Sequence, residues 1–465
     1  MESSNEPDQR ARSHDPGEPA FAAADDPPGP RGLPVVGHTV SILRTPLEFL
    51  DRLASHGDVV RYRIAGNAAT ALFHPTDVQR VLVEDVDRFE RYVFGDRGFD
   101  FAPEGILFND GEQWHRQRTV MQPAFTVDRI ESYASAMTDV ARERFDEWAD
   151  GQEVVLDREF SALTLEILGS ALFDLELDPS SSDEPVVTAA RLINNQSERL
   201  TFASFLPLWL PTPANRRYRR AMADYRERVD ALIADRRERG TTGTDLLSLL
   251  LDAGESDGRG LSEDEIRDNL LTFLFAGHET TSLVLTYTVA VLSRHDRVRK
   301  RLDDELTSVL GDEHPRFEHV PDLEYTERVI REAMRLYPPS YIMFRTPTED
   351  VTIGGYRVPA GSIVSLPQYR IHRDERFYDD PETFDPDRWT DDRSADRPEY
   401  AYFPFGGGPR HCMGMRFATL EATLVLATFA QRFDVELLEG SMPSLSPRAT
   451  LQPESPVRAR VRARG

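Results

Sequence analysis

"FPFGGGPRHCMG", Phe403 to Gly414, holds the only cysteine of a 465-residue chain. Glycines fill positions 406–408, Arg410 and His411 directly precede Cys412, and Gly414 follows two residues later. Three features favour an ionised sulfur. Arg410 and His411 bring positive charge. Glycines accept unusual dihedrals, so backbone N–H groups can approach the thiolate. A helix starting after the loop would point its positive end at it. A lone cysteine is compatible with an inert buried thiol, a nucleophile or a metal-ligating thiolate. A nucleophile needs a basic partner in a Cys/His pattern, and none is present. The residues alone leave the other two open.

Outward from the loop, "MGMRFATLEATLVLATFAQRF" is helical and apolar nearly all round, which predicts burial. A second such helix, from about Glu263 to Arg294, opens on a capping box of Ser262 with Glu265. Its centre reads "AGHETT", residues 276–281. An acid there is costly unless paired, hydrated or functional. A kink site is the plain alternative, because Gly277 lowers helix propensity and a Thr hydroxyl can bond the preceding turn. "REAMRLYPP" places Glu332 and Arg335 on one helix face, where an exposed pair would be worth little. "GEQWHRQRTVMQPAF" sets Trp114 and Arg118 one turn apart.

The rest of the chain sets these helices in a mainly α protein with a small β part. Residues 1–26 are acidic and rich in Pro and Ser, and read as a disordered tail ahead of one domain, 27–465. "DVVRYRIAG" and "ATALFHP" predict a hairpin, and "DVTIGGYRVPAGSIVSLP" further strands. Most of residues 76–335 is helical in pattern. "VRARVRAR" alternates as an edge strand with a basic outer face. "FASFLPLWLPTPANRRYRR", residues 202–220, is apolar and then basic. It reads as an inter-helix loop and a solvated helix start, with peripheral membrane contact as the sharper alternative.

Asp and Glu total 80 against 55 Lys and Arg, a net charge of −25. That excludes a nucleic-acid binder, since phosphates would be repelled. Lys300 is the only lysine. Excess acid without lysine points to a halophilic host; a GC-rich genome accounts for the arginines but not the acids. A single cysteine excludes internal disulfides and suits a reducing cytoplasm. No apolar stretch has membrane-spanning length, so no transmembrane anchor is expected.

Phe405, Gly408, Arg410, Cys412 and Gly414 fit F-x-x-G-x-R-x-C-x-G, and with this the chain resembles the cytochrome P450 family of haem-thiolate monooxygenases. The resemblance implies a single-domain P450 fold, with haem b between the long central helix and the Cys-loop helix and its iron on Cys412. It further implies that Gly277 opens a groove above the iron, Thr280 donates a hydrogen bond to dioxygen and Glu279 relays protons. Glu332, Arg335 and Arg388 of "FDPDRW" become a structural triad. Trp114, Arg118 and Arg410 become donors to the haem propionates, with Arg345 a third arginine. Electrons would come from a separate ferredoxin and ferredoxin reductase, docking where Arg410 and Arg416 cluster. Apolar segments lining the pocket, residues 106–108 and 341–344 with Phe275 and Ala276, imply a lipophilic substrate of fatty-acid, carotenoid or other isoprenoid type. No clear Arg/Tyr pair near residues 57–75 would anchor a carboxylate, which weakens the fatty-acid option. A peroxide-driven hydroxylase, an isomerase and a non-catalytic haem sensor are the rival classes; Glu279–Thr280 argues against those that need no oxygen activation.

Overall fold

Ser262 Oγ accepts from the Glu265 N–H at 3.2 Å, and the Glu265 carboxylate accepts from the Ser262 N–H at 2.7 Å. This capping box satisfies orphan donors at the start of a 30-residue helix, around which the molecule is arranged. The computed structural model describes residues 26–92, 101–174, 185–198, 210–240, 245–254, 260–438 and 442–464. Nearly all of the expected N-terminal tail, and residues 202–209, lie outside them.

In chain order the helices are α1 Thr39–Arg44, α2 Pro46–Ala54, α3 Pro75–Gln79, α4 Gly111–Met121, α5 Val127–Asp146, α6 Leu156–Phe173, α7 Pro185–Glu198, α8 Pro213–Arg239, α9 Leu246–Gly254, α10 Glu263–Leu292, α11 Asp296–Leu310, α12 Glu324–Leu336, α13 Gln368–Ile371, α14 Asp391–Ser394 and α15 Met415–Arg432. Helix α10 is the axis and packs on α6, α8, α12 and α15. Helix α15 is buried on nearly every side after its first turn, as its uniform hydrophobicity requires.

The strands are β1 Val59–Ile64, β2 Asn67–Leu72, β3 Phe89–Arg91, β4 Glu153–Val155, β5 Met343–Pro347, β6 Val351–Ile353, β7 Tyr356–Val358, β8 Ile363–Leu366, β9 Phe433–Leu437, β10 Leu445–Pro447, β11 Leu451–Pro453 and β12 Arg458–Ala463. The five-stranded sheet runs β1-β2-β8-β5-β3, with β2 and β8 parallel. Its β1–β2 hairpin pairs Val59 with Leu72 and Ile64 with Asn67.

One strand departs from expectation. The alternating arginine segment forms β12, which is central rather than at an edge, in the order β4-β12-β9. The reason is charge pairing. Arg458 and Arg460 reach Glu153 on β4, and Arg462 faces Glu436 on β9. The basic face is matched by acids on both neighbours.

Candidate active site

Tight backbone geometry builds the cysteine loop. Gly406 and Gly408 have φ of 73° and 64°. A Cβ on Gly408 would lie 1.9 Å from the Leu82 carbonyl oxygen, so no other residue fits. The Cys412 N–H donates to Phe405 O at 2.9 Å and closes the loop. Burial raises the Cys412 pKa, while the Gly414 N–H and the Arg118 charge oppose that shift. Yet the side chain is exposed. A thiol that is both deep and accessible lines an interior space.

Central helix α10 has the same property along one stripe. Between Asp268 and Leu292 every residue is buried except Phe273, Ala276, Gly277 and Thr280. Their i, i+3, i+4, i+7 spacing is one helix face. Partial exposure of one face in the middle of a buried helix means that it, too, borders interior space. Helices α10 and α15 pack on each other, and Cys412 lies three residues before α15.

The polar groups of "AGHETT" are held by partners within the protein. The Thr280 hydroxyl donates back to Ala276 O at 2.8 Å, and Thr281 to Gly277 O at 3.2 Å. Glu279 is buried and accepts from the side-chain amide of Gln452 on β11. His278 donates from Nδ1 to Leu274 O at 2.5 Å, and burial keeps it neutral. A Cβ on Gly277 would lie 2.9 Å from Leu168 Cδ1 on α6. The missing side chain allows close packing of α10 on α6, and Gly277 also lies on the partly exposed stripe of α10.

Around Trp114 the structure brings together two arginines, with Arg345 near one of them. Arg410 lies 4.5 Å and Arg118 5.5 Å from the indole centroid. Arg410 donates to Asn109 O at 2.9 Å and to the Asp110 carboxylate. Arg118 donates to His411 O at 3.1 Å and lies 3.2 Å from His411 Nε2. His411 Nδ1 donates in turn to Gly408 O at 2.9 Å, so the histidine seats Arg118 against the loop. Arg345 is 7% exposed, and its one hydrogen bond goes to Phe344 O at 2.9 Å. No carboxylate among the described residues lies within ion-pairing distance of it. Burial, with repulsion from Arg410, pushes its pKa down to about 10. Such a buried, under-partnered cation cluster suits a ligand bearing carboxylates, as the haem propionates are. The donor set and the accessible Cys412 thus fit haem.

Glu332 organises the far side of the loop. Arg335 Nη2 and Nε reach its two oxygens at 2.8 and 2.9 Å, and Arg388 Nε reaches Oε1 at 3.1 Å. The Trp389 indole N–H adds a fourth contact at 3.0 Å, missed in the sequence although Trp389 adjoins Arg388. Asp110 and Gln452 carry no local sequence signal. Glu421 does. It is an acid in the largely apolar α15, buried near Thr281, with its pKa raised well above normal by burial.

Residues 106–108 and 341–344 are half-buried. Asn269 and Asp268 on α10 accept from the Ile106 and Glu104 N–H groups at 2.9 and 2.8 Å, fixing the first segment to the central helix. Phe275 is buried against Phe101, which meets Phe108 edge-on. The expected docking cluster is halved. Arg416 is exposed, but Arg410 is drawn inward by Asp110 and Trp114. In the described part of residues 202–220, Pro213 starts α8, whose exposed arginines are a solvated helix start. No helix among the described residues is long and apolar enough to cross a membrane.

The model of the family described as Cytochrome P450 matches residues 27–461. The chain is 35% identical over 417 residues to cyclooctat-9-en-7-ol 5-monooxygenase of Streptomyces melanosporofaciens, covering 89% of this chain and 90% of that one. It is 35% identical over 406 residues to pentalenene oxygenase of Streptomyces avermitilis, with 87% and 90% covered. The solved structure of retinoic-acid-bound cyanobacterial CYP120A1 superposes with a TM-score of 0.85 at 26% identity, covering 95% of this chain and 100% of that one.

Proposed function

Since this chain belongs to the cytochrome P450 family, whose members are haem-thiolate monooxygenases, we propose that it hydroxylates an isoprenoid, most closely a cyclic terpenoid, with electrons from a ferredoxin and its reductase. The observation that carries this reading is the partly exposed stripe Phe273, Ala276, Gly277 and Thr280 on α10, together with the exposed thiol of Cys412 in the loop that leads into α15, the helix on which α10 packs. A largely apolar wall with one hydroxyl is suited to a lipophilic molecule held next to the cofactor. The names of the Streptomyces relatives support a terpenoid. A fatty acid lacks an anchor, because Arg61 pairs with Asp26 and the Tyr62 hydroxyl is held by Ser365.

When bound, haem b supplies oxygen activation and C–H oxidation, with Cys412 as the electron-donating ligand. The protein contributes the rest. The Gly414 N–H and Arg118 would stabilise the ligating thiolate against the effect of burial. Arg345, Arg410, Arg118 and Trp114 bind the propionates. Phe273 and Ala276 exclude water and orient the substrate. Thr280 holds a proton at Oγ1, directed to Ala276 O in this structure. Glu279 passes protons inward from its site against Gln452. A peroxide-driven enzyme has no use for this pair, which favours the oxygen-dependent reading. Arg416, exposed beside the loop, and the exposed Met415 support the redox-partner face. Arg416→Glu should slow reduction by the ferredoxin, and an unchanged rate would remove that face.

The deciding measurement is the absorbance of the reduced, CO-bound protein, followed by titration with cyclic terpene alcohols and hydrocarbons. A red-shifted Soret band, lost in Cys412→Ser, together with a substrate-induced spin shift, is expected. Absence of the band removes the haem-thiolate reading; the band without any terpene shift removes the terpenoid. The acid excess supports a high-salt cytoplasm as the working medium. Stability should then rise with molar KCl, and full stability in dilute buffer would oppose it.

A further inference from the structure

Seven large apolar side chains are exposed among the described residues, and four of them, Leu33, Val35, Val36 and Val40, fall within eight positions. They form a protruding knuckle. Leu33 and Gly37 exchange backbone hydrogen bonds at 2.9 and 3.0 Å, leaving residues 34–36 at the tip, and Val40 follows in the first turn of α1. Val35 at the apex is 91% exposed with φ of 64°. A β-branched residue in the left-handed region is strained, and strain persists where surrounding structure enforces it, often at functional surfaces. Here it thrusts an apolar side chain into solvent.

The charge of this corner opposes that of the molecule. Carboxylates make up about one residue in six of the chain, yet residues 27–47 and 59–76 contain none. The two stretches adjoin. The Arg61 N–H donates to Pro28 O, the His38 N–H donates to Arg63 O, and Gly37 bridges Ile64. They present Arg31, Arg44 and Arg63, all exposed and none paired with a carboxylate among the described residues. An apolar tip flanked by unpaired arginines, in a chain of net charge −25, is a local reversal of both hydropathy and sign.

We infer that the Leu33–Val40 knuckle is a docking element for an anionic lipid surface. The occupant follows from shape and charge together. The tip is convex, so it enters a soft apolar layer rather than enclosing a ligand. The arginines sit behind it, at the level where lipid phosphates would lie, with long stems able to reach them. A carboxylate-free border removes the repulsion that the rest of this acidic surface would meet at such a membrane. The inference stands independently of the reaction catalysed.

The test is flotation of the full-length, haem-loaded protein with two kinds of vesicle. One is phosphatidylcholine alone, the other phosphatidylcholine mixed with phosphatidylglycerol. About tenfold more protein should float with the anionic vesicles, the preference falling as salt screens it. Val35→Asp with Val36→Asp should abolish binding, and Arg44→Glu with Arg63→Glu should abolish the anionic preference. Val127→Asp, an exposed valine elsewhere, should change nothing. Val35→Asn guards against a folding artefact: asparagine tolerates the left-handed region, so the thermal midpoint should hold or rise while vesicle binding falls. Equal binding to both vesicles, no binding, or binding unaffected by the valine variants would overturn the inference. So would capture of an acidic protein through these arginines without any vesicle binding, which would make the corner a protein interface.

Discussion

Two sets of buried arginines flank the cysteine loop, and they differ in how their N–H groups are used. Arg335 bonds both Glu332 oxygens and the carbonyls of His372, Pro381 and Thr383. Arg388 bonds Glu332 and the carbonyls of Asp379, Asp380 and Thr383. These side chains are finished by the protein. Arg345 is also buried, but bonds only a neighbouring carbonyl and has another guanidinium nearby. The first set is a closed polar network that fixes a shape. The second is an open donor set with a charge left for an anionic ligand. Similar burial therefore marks scaffold in one place and binding site in the other, and the hydrogen-bond account tells them apart.

The comparison can be broken most forcefully at Glu332. Glu332→Ala leaves two buried guanidiniums and the Trp389 indole without their acceptor. It should cost roughly 3–5 kcal/mol in urea unfolding and prevent haem incorporation. Normal haem content would refute the closed-network assignment. Arg345→Leu should separate the two sets by sign. Removing a charge-assisted donor costs about 1.5–3 kcal/mol of ligand binding, so haem should dissociate about 10–100-fold more readily. The haem-free protein should be no less stable, since an under-paired buried charge is gone. Loss of stability without a change in haem affinity would place Arg345 with the scaffold.

Gly277→Ala pushes a methyl against Leu168 and should cost about 1–3 kcal/mol, recovered in part by Leu168→Ala. A neutral or stabilising result would mean that Leu168 yields to the methyl and that Gly277 is not required for the packing of α10 on α6. The smallest effect is at Glu421. Its folded pKa is raised, so the folded state retains a proton that the unfolded state releases above the ordinary glutamate range. Stability from this group is present at low pH and falls as pH rises towards the folded pKa. Glu421→Gln, which keeps the shape, should flatten that decline and be the more stable variant at pH 8. Parallel stability–pH curves would contradict a neutral Glu421.

Much of this was legible in the sequence because it depended on local chemistry. Glycines around Cys412, the capping box at Ser262 and the apolar runs of α10 and α15 each announce themselves by residue type and spacing. The family loop then ordered Trp114, Arg118, Glu332, Arg335 and Arg388. What stayed hidden depended on distant partners. Gln452 meets Glu279 across 173 residues, and Arg410 finds Asp110 across 300. Composition gives no Cβ direction for Gly277; only α6 alongside shows where that direction leads. The placement of β12 was missed for a similar reason, since alternation identifies a strand but not its neighbours. Glu421 was legible and overlooked: the same cost of a buried acid that singled out Glu279 applied to it.

The central position of β12 also has a consequence in time. Arg458 bonds Glu153 across 305 residues, and the Val457 N–H caps the Asp157 carboxylate at the start of α6. At about 5–20 residues per second, a ribosome needs on the order of 15–60 s to make that interval. Throughout, β4 is a short acidic edge with no partner, and the first turn of α6 lacks one of its ties. The helix that supports the catalytic one is therefore secured late in synthesis, and stalls within that interval should yield chains in which α6 is the least protected of the principal helices.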